Sequence, residues 1–141
     1  MVINSNQQSF RPVIFLAEDD EHISYLLVFL LERHGYLVES ANDGFKFLDL
    51  VKESMPPDLI ILDLMLPFID GYELIRQIRL NDSWKNIPII ALSALTREDD
   101  IVRAFKAGAN DYVTKPFQPQ ELIVRIDRFI EKKRPHVSGE N

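Results

Sequence analysis

Three apolar runs, each ending at a polar or charged side chain, dominate the pattern of this chain. They occupy 13–17, 59–62 and 87–92. A continuous apolar run is typical of a strand that is buried on both faces in a parallel sheet. Pro67 and Gly71 mark the loop that leaves the second run. The runs therefore predict three central strands of a parallel sheet.

Segments with helical periodicity separate these strands. The first carries apolar residues at 23, 26, 27, 30 and 31, the spacing of a helix that packs by one face, and it ends before Gly35. The apolar helix positions predicted further along are Phe45, Leu48 and Val51, facing inward in the second helix; Leu74, Ile75 and Ile78, facing inward in the third; Ile101, Val102 and Phe105 in the fourth; and Leu122, Ile123, Ile126, Phe129 and Ile130 in the fifth.

Residues typical of helix starts precede several of these segments. Asn42-Asp43 is expected to cap the second helix. Thr96 and Asp99 have the spacing of a capping sequence for the fourth helix. Pro119 suits the first turn of the fifth helix, because a first-turn residue needs no amide hydrogen.

The alternation of strands and helices predicts a doubly wound α/β fold, with five parallel strands and five helices on both faces of the sheet. The mixed segments 36–41 and 111–114 are expected to be the edge strands, which gives the order 2-1-3-4-5 under the right-handed crossover rule. We assign residues 11–132 to this domain, with 1–10 as a flexible N-terminal extension and 133–141 as a flexible tail.

Polar groups follow the predicted strands at the same edge of the sheet. Glu18 and Asp19 follow the first strand, Asp63 ends the third, Ser93 ends the fourth and Lys115 follows the fifth. In open α/β sheets, sites lie outside the carboxyl ends of the strands. These five side chains are therefore expected to meet in one crevice.

This set of groups indicates chemistry on phosphate. Asp19 and Asp63 would repel each other unless a positive group lay between them. Oxygen donors without a His or Cys cluster suit a hard cation such as Mg²⁺. A metal and an ammonium could neutralise phosphoryl oxygens while a carboxylate attacks phosphorus. The neighbouring Asp20 and Glu21 are interpreted as acids of a helix start, and Asp70 as a turn or cap residue.

Composition narrows the class of protein. The 141 residues suffice for one domain, and the absence of Cys excludes disulfides, thiolate metal sites and cysteine nucleophiles. No segment resembles a signal peptide or reaches the roughly 20 apolar residues of a membrane span, so we predict a soluble, cytoplasmic protein with no membrane partner. The net charge of −6 argues against direct nucleic-acid binding.

Five features of the chain, taken in order, resemble the receiver domains of two-component response regulators. They are Glu18-Asp19-Asp20, Asp63 with Pro67 and Gly71, Ser93-Ala94, Tyr112, and Lys115-Pro116-Phe117. The resemblance covers about residues 12 to 131 and implies a flavodoxin-like fold of the kind seen in single-domain chemotaxis regulators.

The resemblance implies a phosphoacceptor and a metal site. Asp63 would accept a phosphoryl group from the phosphohistidine of a histidine kinase or phosphotransfer protein. Asp19 and Asp63 would bind Mg²⁺ directly, Met65 through its backbone carbonyl, and Glu18 through water. The chain would then be a phosphoacceptor signalling domain that assists its own phosphorylation and dephosphorylation, and no enzyme in the usual sense.

The resemblance also implies a response to phosphorylation. Lys115 would pair with the phosphoryl oxygens, and the phosphate would draw Ser93 inward. Tyr112 would then bury its ring and alter the face formed by the fourth helix, the fifth strand and the fifth helix, where an unknown downstream protein partner would bind. The peptide bond between Lys115 and Pro116 would be cis.

Alternative functions are distinguished by single features. The short N-terminal extension favours a free-standing receiver, and the receiver portion of a longer response regulator with a C-terminal output domain is the alternative. A phosphatase of the haloacid-dehalogenase type would need a second Asp at the position of Met65. A nucleotide-binding module would need a glycine-rich phosphate loop, and neither common motif is present.

Overall fold

The computed structural model describes residues 11–133 of the chain. The predicted flexible segments 1–10 and 133–141 lie outside this range, except for Lys133, which is the last residue of the final helix. Within the described range, no helix is both long enough and apolar enough to cross a membrane.

Five parallel strands form one sheet in the order β2-β1-β3-β4-β5, which confirms the predicted fold and strand order. The strands are β1 (Val13–Ala17), β2 (Leu37–Ala41), β3 (Leu59–Asp63), β4 (Ile89–Ser93) and β5 (Asp111–Thr114). Every residue of β3 and β4 is buried, whereas the edge strand β2 is largely exposed. The continuous apolar runs thus became the strands that are covered on both faces.

Five helices cover the two faces of the sheet. They are α1 (Glu21–Arg33), α2 (Gly44–Glu53), α3 (Gly71–Leu80), α4 (Glu98–Ala107) and α5 (Pro119–Lys133). Successive residues of a strand point to opposite faces. Ile60 and Leu62 therefore pack in the core under α2, α3 and α4, while Ile61 packs in the core under α1 and α5.

Aspartates cap the first three helices. Asp20 accepts hydrogen bonds from the amides of His22 and Ile23, which lowers the pKa of its carboxyl. Asp43 and Asp70 cap α2 and α3 in the same manner, which confirms the predicted cap roles of these two residues. Asp20, predicted as an acid of the first turn, is instead the cap residue of α1, and Glu21 lies in the first turn.

The predicted cap of α4 is wrong. The helix begins at Glu98, so the cap position falls on Arg97, whose side chain makes no capping hydrogen bond. Thr96 lies one residue too early to bond the first amides of the helix. Negative charge in the first turn, from Glu98, Asp99 and Asp100, is the favourable feature that remains at this terminus.

The inward position predicted for Phe45 is also wrong. Phe45 is 57% exposed, and Phe47 occupies the core instead. The reason is a close contact at the first residue of α2, where a Cβ on Gly44 would lie 2.6 Å from Cβ of Ile69. This contact sets the rotation of α2, and Phe45 stacks instead on the exposed ring of Phe68 at a centroid distance of 5.7 Å.

Candidate functional site

Asp63 lies at the carboxyl end of the central strand β3 and is buried. Its Oδ2 accepts a hydrogen bond from Lys115 Nζ at 2.8 Å. Its Oδ1 accepts one from the backbone amide of Met65 at 2.9 Å, so the chain folds back over the carboxylate directly after the strand. Both oxygens of Asp63 are therefore held in place by hydrogen-bond donors.

Lys115 lies between two buried carboxylates. Its Nζ is 2.8 Å from Asp63 Oδ2 and 2.8 Å from Glu18 Oε1, and its own side chain is 15% exposed. The backbone amide of Lys115 donates to the carbonyl of Ser93 at 2.8 Å, which fixes the lysine beside the end of β4. Although burial alone would lower the pKa of Lys115, its hydrogen bonds to Asp63 and Glu18 raise it above its ordinary value.

The pKa of the Glu18 carboxyl is strongly raised. Its Oε2 accepts from the backbone amide of Asp20 at 3.0 Å. Burial raises the pKa of Glu18 to about 7, against the lowering effects of Lys115 and of that amide, and the charge on Asp63 adds to the rise. A single ammonium thus faces two buried acids, an arrangement that leaves negative charge to be neutralised.

The carboxylates of Glu18, Asp19 and Asp63 can each offer an oxygen within 4.8 Å of the others. Glu18 and Asp63 are buried, while Asp19 is exposed at the rim. Convergent carboxylate oxygens with no nitrogen or sulfur donor in the group fit a hard divalent cation. The acids predicted as metal ligands are therefore brought together.

Hydroxyl groups link the end of β4 to the neighbouring strand. Ser93 is fully buried, and its Oγ accepts from the amide of Leu95 at 3.1 Å. The hydroxyl of Tyr112 on β5 donates to the carbonyl of Leu95 at 2.7 Å. Tyr112 is half-buried, and burial raises the pKa of its hydroxyl. Ser93 and Tyr112 thus hold the same loop residue through its two backbone groups.

Met65, Leu95 and the peptide bond after Lys115 lie around the same site. The side chain of Met65 is 57% exposed, and Leu95 is half-buried. The peptide bond between Lys115 and Pro116 is cis, which confirms that prediction.

Sequence reasoning missed Tyr72, the second residue of α3. Its ring is buried, and its hydroxyl donates to the carbonyl of Asp100 in the first turn of α4 at 3.1 Å. At an apolar helix position a tyrosine looks like any core aromatic, so the sequence carries no indication that its hydroxyl bonds a neighbouring helix.

Comparison with known proteins places this geometry in a family. The response regulator receiver domain family matches residues 14–127. Among curated proteins, the DNA-binding dual master transcriptional regulator RpaA of Synechocystis sp. is 39% identical over 121 residues, which is 86% of this chain and 50% of that protein. The chain spans about half the length of the curated relatives it matches.

Solved receiver domains have the same architecture. The receiver domain of the Francisella response regulator 1452 superposes with a TM-score of 0.82 at 32% identity, covering 88% of this chain and 100% of that one. The receiver domain of sensor histidine kinase PA1611 from Pseudomonas aeruginosa PAO1, which has a magnesium ion in its active-site cleft, superposes with a TM-score of 0.79 at 33% identity, covering 86% and 99%. With the family match across most of the chain, these likenesses show that the protein belongs to the response regulator receiver domain family.

Proposed function

We propose that Asp63 accepts a phosphoryl group from a phosphohistidine, and that the chain thereby acts as a phosphorylation-controlled interaction module. The observation that carries this proposal is the position of Asp63 at a strand end, bonded to Lys115 and clustered with Glu18 and Asp19. Histidine kinases phosphorylate receiver domains, so the donor is a histidine kinase or a phosphotransfer protein.

The transfer is a displacement at phosphorus. A carboxylate oxygen of Asp63 forms the new bond to phosphorus as the bond to the histidine nitrogen breaks, and that nitrogen keeps the electron pair. Lys115, 2.8 Å from Asp63 Oδ2 before transfer, is placed to pair with a phosphoryl oxygen after it. Ser93, at the end of the adjacent strand, supplies a hydroxyl for a second phosphoryl oxygen.

Mg²⁺ is the cofactor we propose for this reaction. Asp19, Asp63 and the carbonyl of Met65 would bind the ion directly, and Glu18 through water. When bound, the ion neutralises charge on the transferring group. The magnesium ion in the cleft of the PA1611 receiver domain supports this assignment, as do the convergent carboxylates of this chain.

Phosphorylation is proposed to change the face formed by α4, β5 and α5. Ser93 would donate its hydroxyl to a phosphoryl oxygen, and the movement of its side chain would shift the hydrogen bond that its Oγ accepts from the amide of Leu95, whose carbonyl accepts from Tyr112. Rearrangement of this loop would alter the surface offered to a downstream protein partner. The name of RpaA describes a DNA-binding protein of about twice the matched length, and for this acidic domain we propose protein partners and no direct nucleic-acid contact.

The phosphoacceptor is tested by mass spectrometry of the intact protein after incubation with acetyl phosphate and Mg²⁺. We expect one added phosphoryl group in wild type and none in Asp63→Asn. Asp70→Asn is the matched control, because Asp70 lies in the same loop and Asn can keep its cap role. Equal labelling of Asp63→Asn and wild type would refute the assignment.

A further inference from the structure

Tyr72 joins α3 to the first turn of α4 by two contacts. The residue is 4% exposed, and its hydroxyl donates to the carbonyl of Asp100 at 3.1 Å. The guanidinium carbon of Arg103, one turn further along α4, lies 3.9 Å from the centre of the Tyr72 ring, within the range of a cation-π contact. The start of α4 is therefore held to Tyr72 through both its backbone and a side chain.

The start of α3 is itself packed directly against the backbone of the proposed phosphoacceptor. Gly71 donates its amide to the carbonyl of Leu64 at 2.9 Å. A Cβ on Gly71 would lie 2.6 Å from both the carbonyl oxygen of Asp63 and Cα of Leu64. Because these atoms have no free space between them, a shift of the backbone at Asp63 would be transmitted to Gly71 and to Tyr72 next to it.

The amino-terminal end of α4 depends on such outside contacts more than the starts of α1, α2 and α3 do. It has no side-chain cap, unlike α1, α2 and α3. The carboxyl-terminal end of α4 is held differently, since Arg79 on α3 donates two hydrogen bonds to the carbonyl of Gly108. The first turn of α4 therefore has no side-chain cap, and its contacts with Tyr72 help to hold it in place.

We propose that Tyr72 is a positioning residue, which holds the first turn of α4 against the backbone beside Asp63 and passes a change at Asp63 to that helix. The second half of this statement rests on the proposed function. These contacts are separate from the hydrogen bonds that join Ser93, Leu95 and Tyr112. They lead from the backbone at Asp63 to Gly71 and Tyr72 at the start of α3, and from Tyr72 to the first turn of α4.

The test compares wild type with Tyr72→Phe by hydrogen-deuterium exchange, with and without Mg²⁺ and beryllium trifluoride as a phosphoryl mimic. The variant keeps the buried ring and removes only the hydroxyl. The carbonyl of Asp100 can still accept the helical hydrogen bond from the amide four residues later, so the substitution leaves no buried carbonyl unpaired. Tyr25→Phe is the matched control, because Tyr25 is 76% exposed on α1.

We expect Tyr72→Phe to speed amide exchange in the first turn of α4 by about 2- to 10-fold, the effect of losing one hydrogen bond, while α1 and α5 exchange as in wild type. The change in exchange of this turn on adding the mimic should also be smaller than in wild type. Unchanged exchange in the turn, or an increase spread evenly over all helices, would overturn the proposal.

If Tyr72→Phe does not fold, Arg103→Met is measured in its place. The same two results are expected of it, and the same two would overturn the proposal.

The same data separate this inference from the proposed function. If the mimic leaves exchange around Asp63 and Lys115 unchanged in wild type, the proposed function is wrong. If wild type responds around Asp63 and in α4, and Tyr72→Phe responds identically, the function stands and the positioning role of Tyr72 is refuted.

Discussion

Met65 and Leu95 determine, in our interpretation, how long phosphorylation of Asp63 lasts. Each lies two residues beyond a proposed site residue, and both side chains are apolar. Met65 is largely exposed at the mouth of the site, while Leu95 is half-buried. In the receiver family, rapidly hydrolysing members tend to carry polar side chains at these positions, which can orient the attacking water. An apolar pair cannot hold that water by hydrogen bonds.

We therefore predict slow self-dephosphorylation. Loss of one orienting hydrogen bond of about 1.4 kcal/mol in the transition state slows a step about tenfold. The measurement is phosphoryl decay in excess Mg²⁺ for wild type and for Met65→Asn combined with Leu95→Glu, which should decay about tenfold faster. Equal decay in the two proteins would show that these side chains only fill space.

Phe68 has a backbone conformation that bulky residues rarely adopt, with φ of 72°. Such a conformation costs about 1–2 kcal/mol for an L-residue. The ring of Phe68 is 77% exposed, so burial does not offset this cost. The ring stacks on that of Phe45 at a centroid distance of 5.7 Å, and the amide of Ile69 donates across Phe68 to the carbonyl of Pro67 at 2.9 Å.

We predict that these two rings are coupled in stability although both are exposed. Phe45→Ala should lower the free energy of unfolding by about 1 kcal/mol in wild type and by clearly less in a Phe68→Gly background, with a coupling of about 0.5–1.5 kcal/mol. Phe68→Gly alone should be nearly neutral, because relief of the positive φ offsets the lost stacking. Urea denaturation of the four proteins measures the cycle, and additive effects would contradict the prediction.

At the scale of elements, Arg79 ties three segments together at the amino edge of the sheet. Its guanidinium donates to the carbonyls of Gly108, Lys85 and Ile87 and to the side chain of Asn110. It thereby joins the end of α4 to α3 and to the loop that enters β4. None of these acceptors is a carboxylate: three are backbone carbonyls and the fourth is the side-chain amide oxygen of Asn110.

Replacing Arg79 by Met should destabilise the fold by about 2–4 kcal/mol, because several carbonyls lose a charged donor. Arg76→Met is the control on the same helix: Arg76 pairs with Glu73 on the surface, and such pairs contribute about 0.5 kcal/mol. Thermal denaturation followed by circular dichroism should show a much larger fall in Tm for Arg79→Met. Equal falls would mean that the Arg79 contacts contribute little.

The elements differ in how far they could be predicted. Strand order, the helices and the convergence of Glu18, Asp19, Asp63 and Lys115 follow from apolar runs and from the polar residues that end them. The rotation of α2 and the start of α4 could not be read from periodicity, because each element makes a contact that is distant in sequence. Gly44 packs against Ile69, and Asp100 accepts a hydrogen bond from Tyr72. Local pattern carries no information about such tertiary contacts.

The carboxylate cluster links metal binding to the stability of the whole molecule. Three carboxylates converge within 4.8 Å and share one ammonium, that of Lys115, so negative charge remains at the site in metal-free buffer. A ligand that binds only the folded state stabilises it by RT ln(1 + [L]/Kd), about 1.4 kcal/mol at ten times Kd. We predict that Mg²⁺ raises the Tm of wild type by about 4 °C under that condition.

Asp19→Asn should separate repulsion from binding. The variant removes one of the three charges, so its Tm in metal-free buffer should be about 2 °C above that of wild type, while its response to Mg²⁺ is lost. Asp82→Asn is the control, because this exposed acid lies in the turn before β4, and it should leave both values unchanged. A full Mg²⁺ response in Asp19→Asn would contradict the assigned ligand.

The position of Trp84 decides what fluorescence can report about this molecule. It is the chain's sole tryptophan, buried in the turn that enters β4, with its ring 5.6 Å from that of Phe15. Asp63 and Ser93 end five-residue strands at the opposite edge of the sheet, and each strand is about 13 Å long. We therefore expect tryptophan emission to report loss of the core and to change little when the carboxylates bind a ligand. Fluorescence can then monitor the integrity of the fold while the site is titrated.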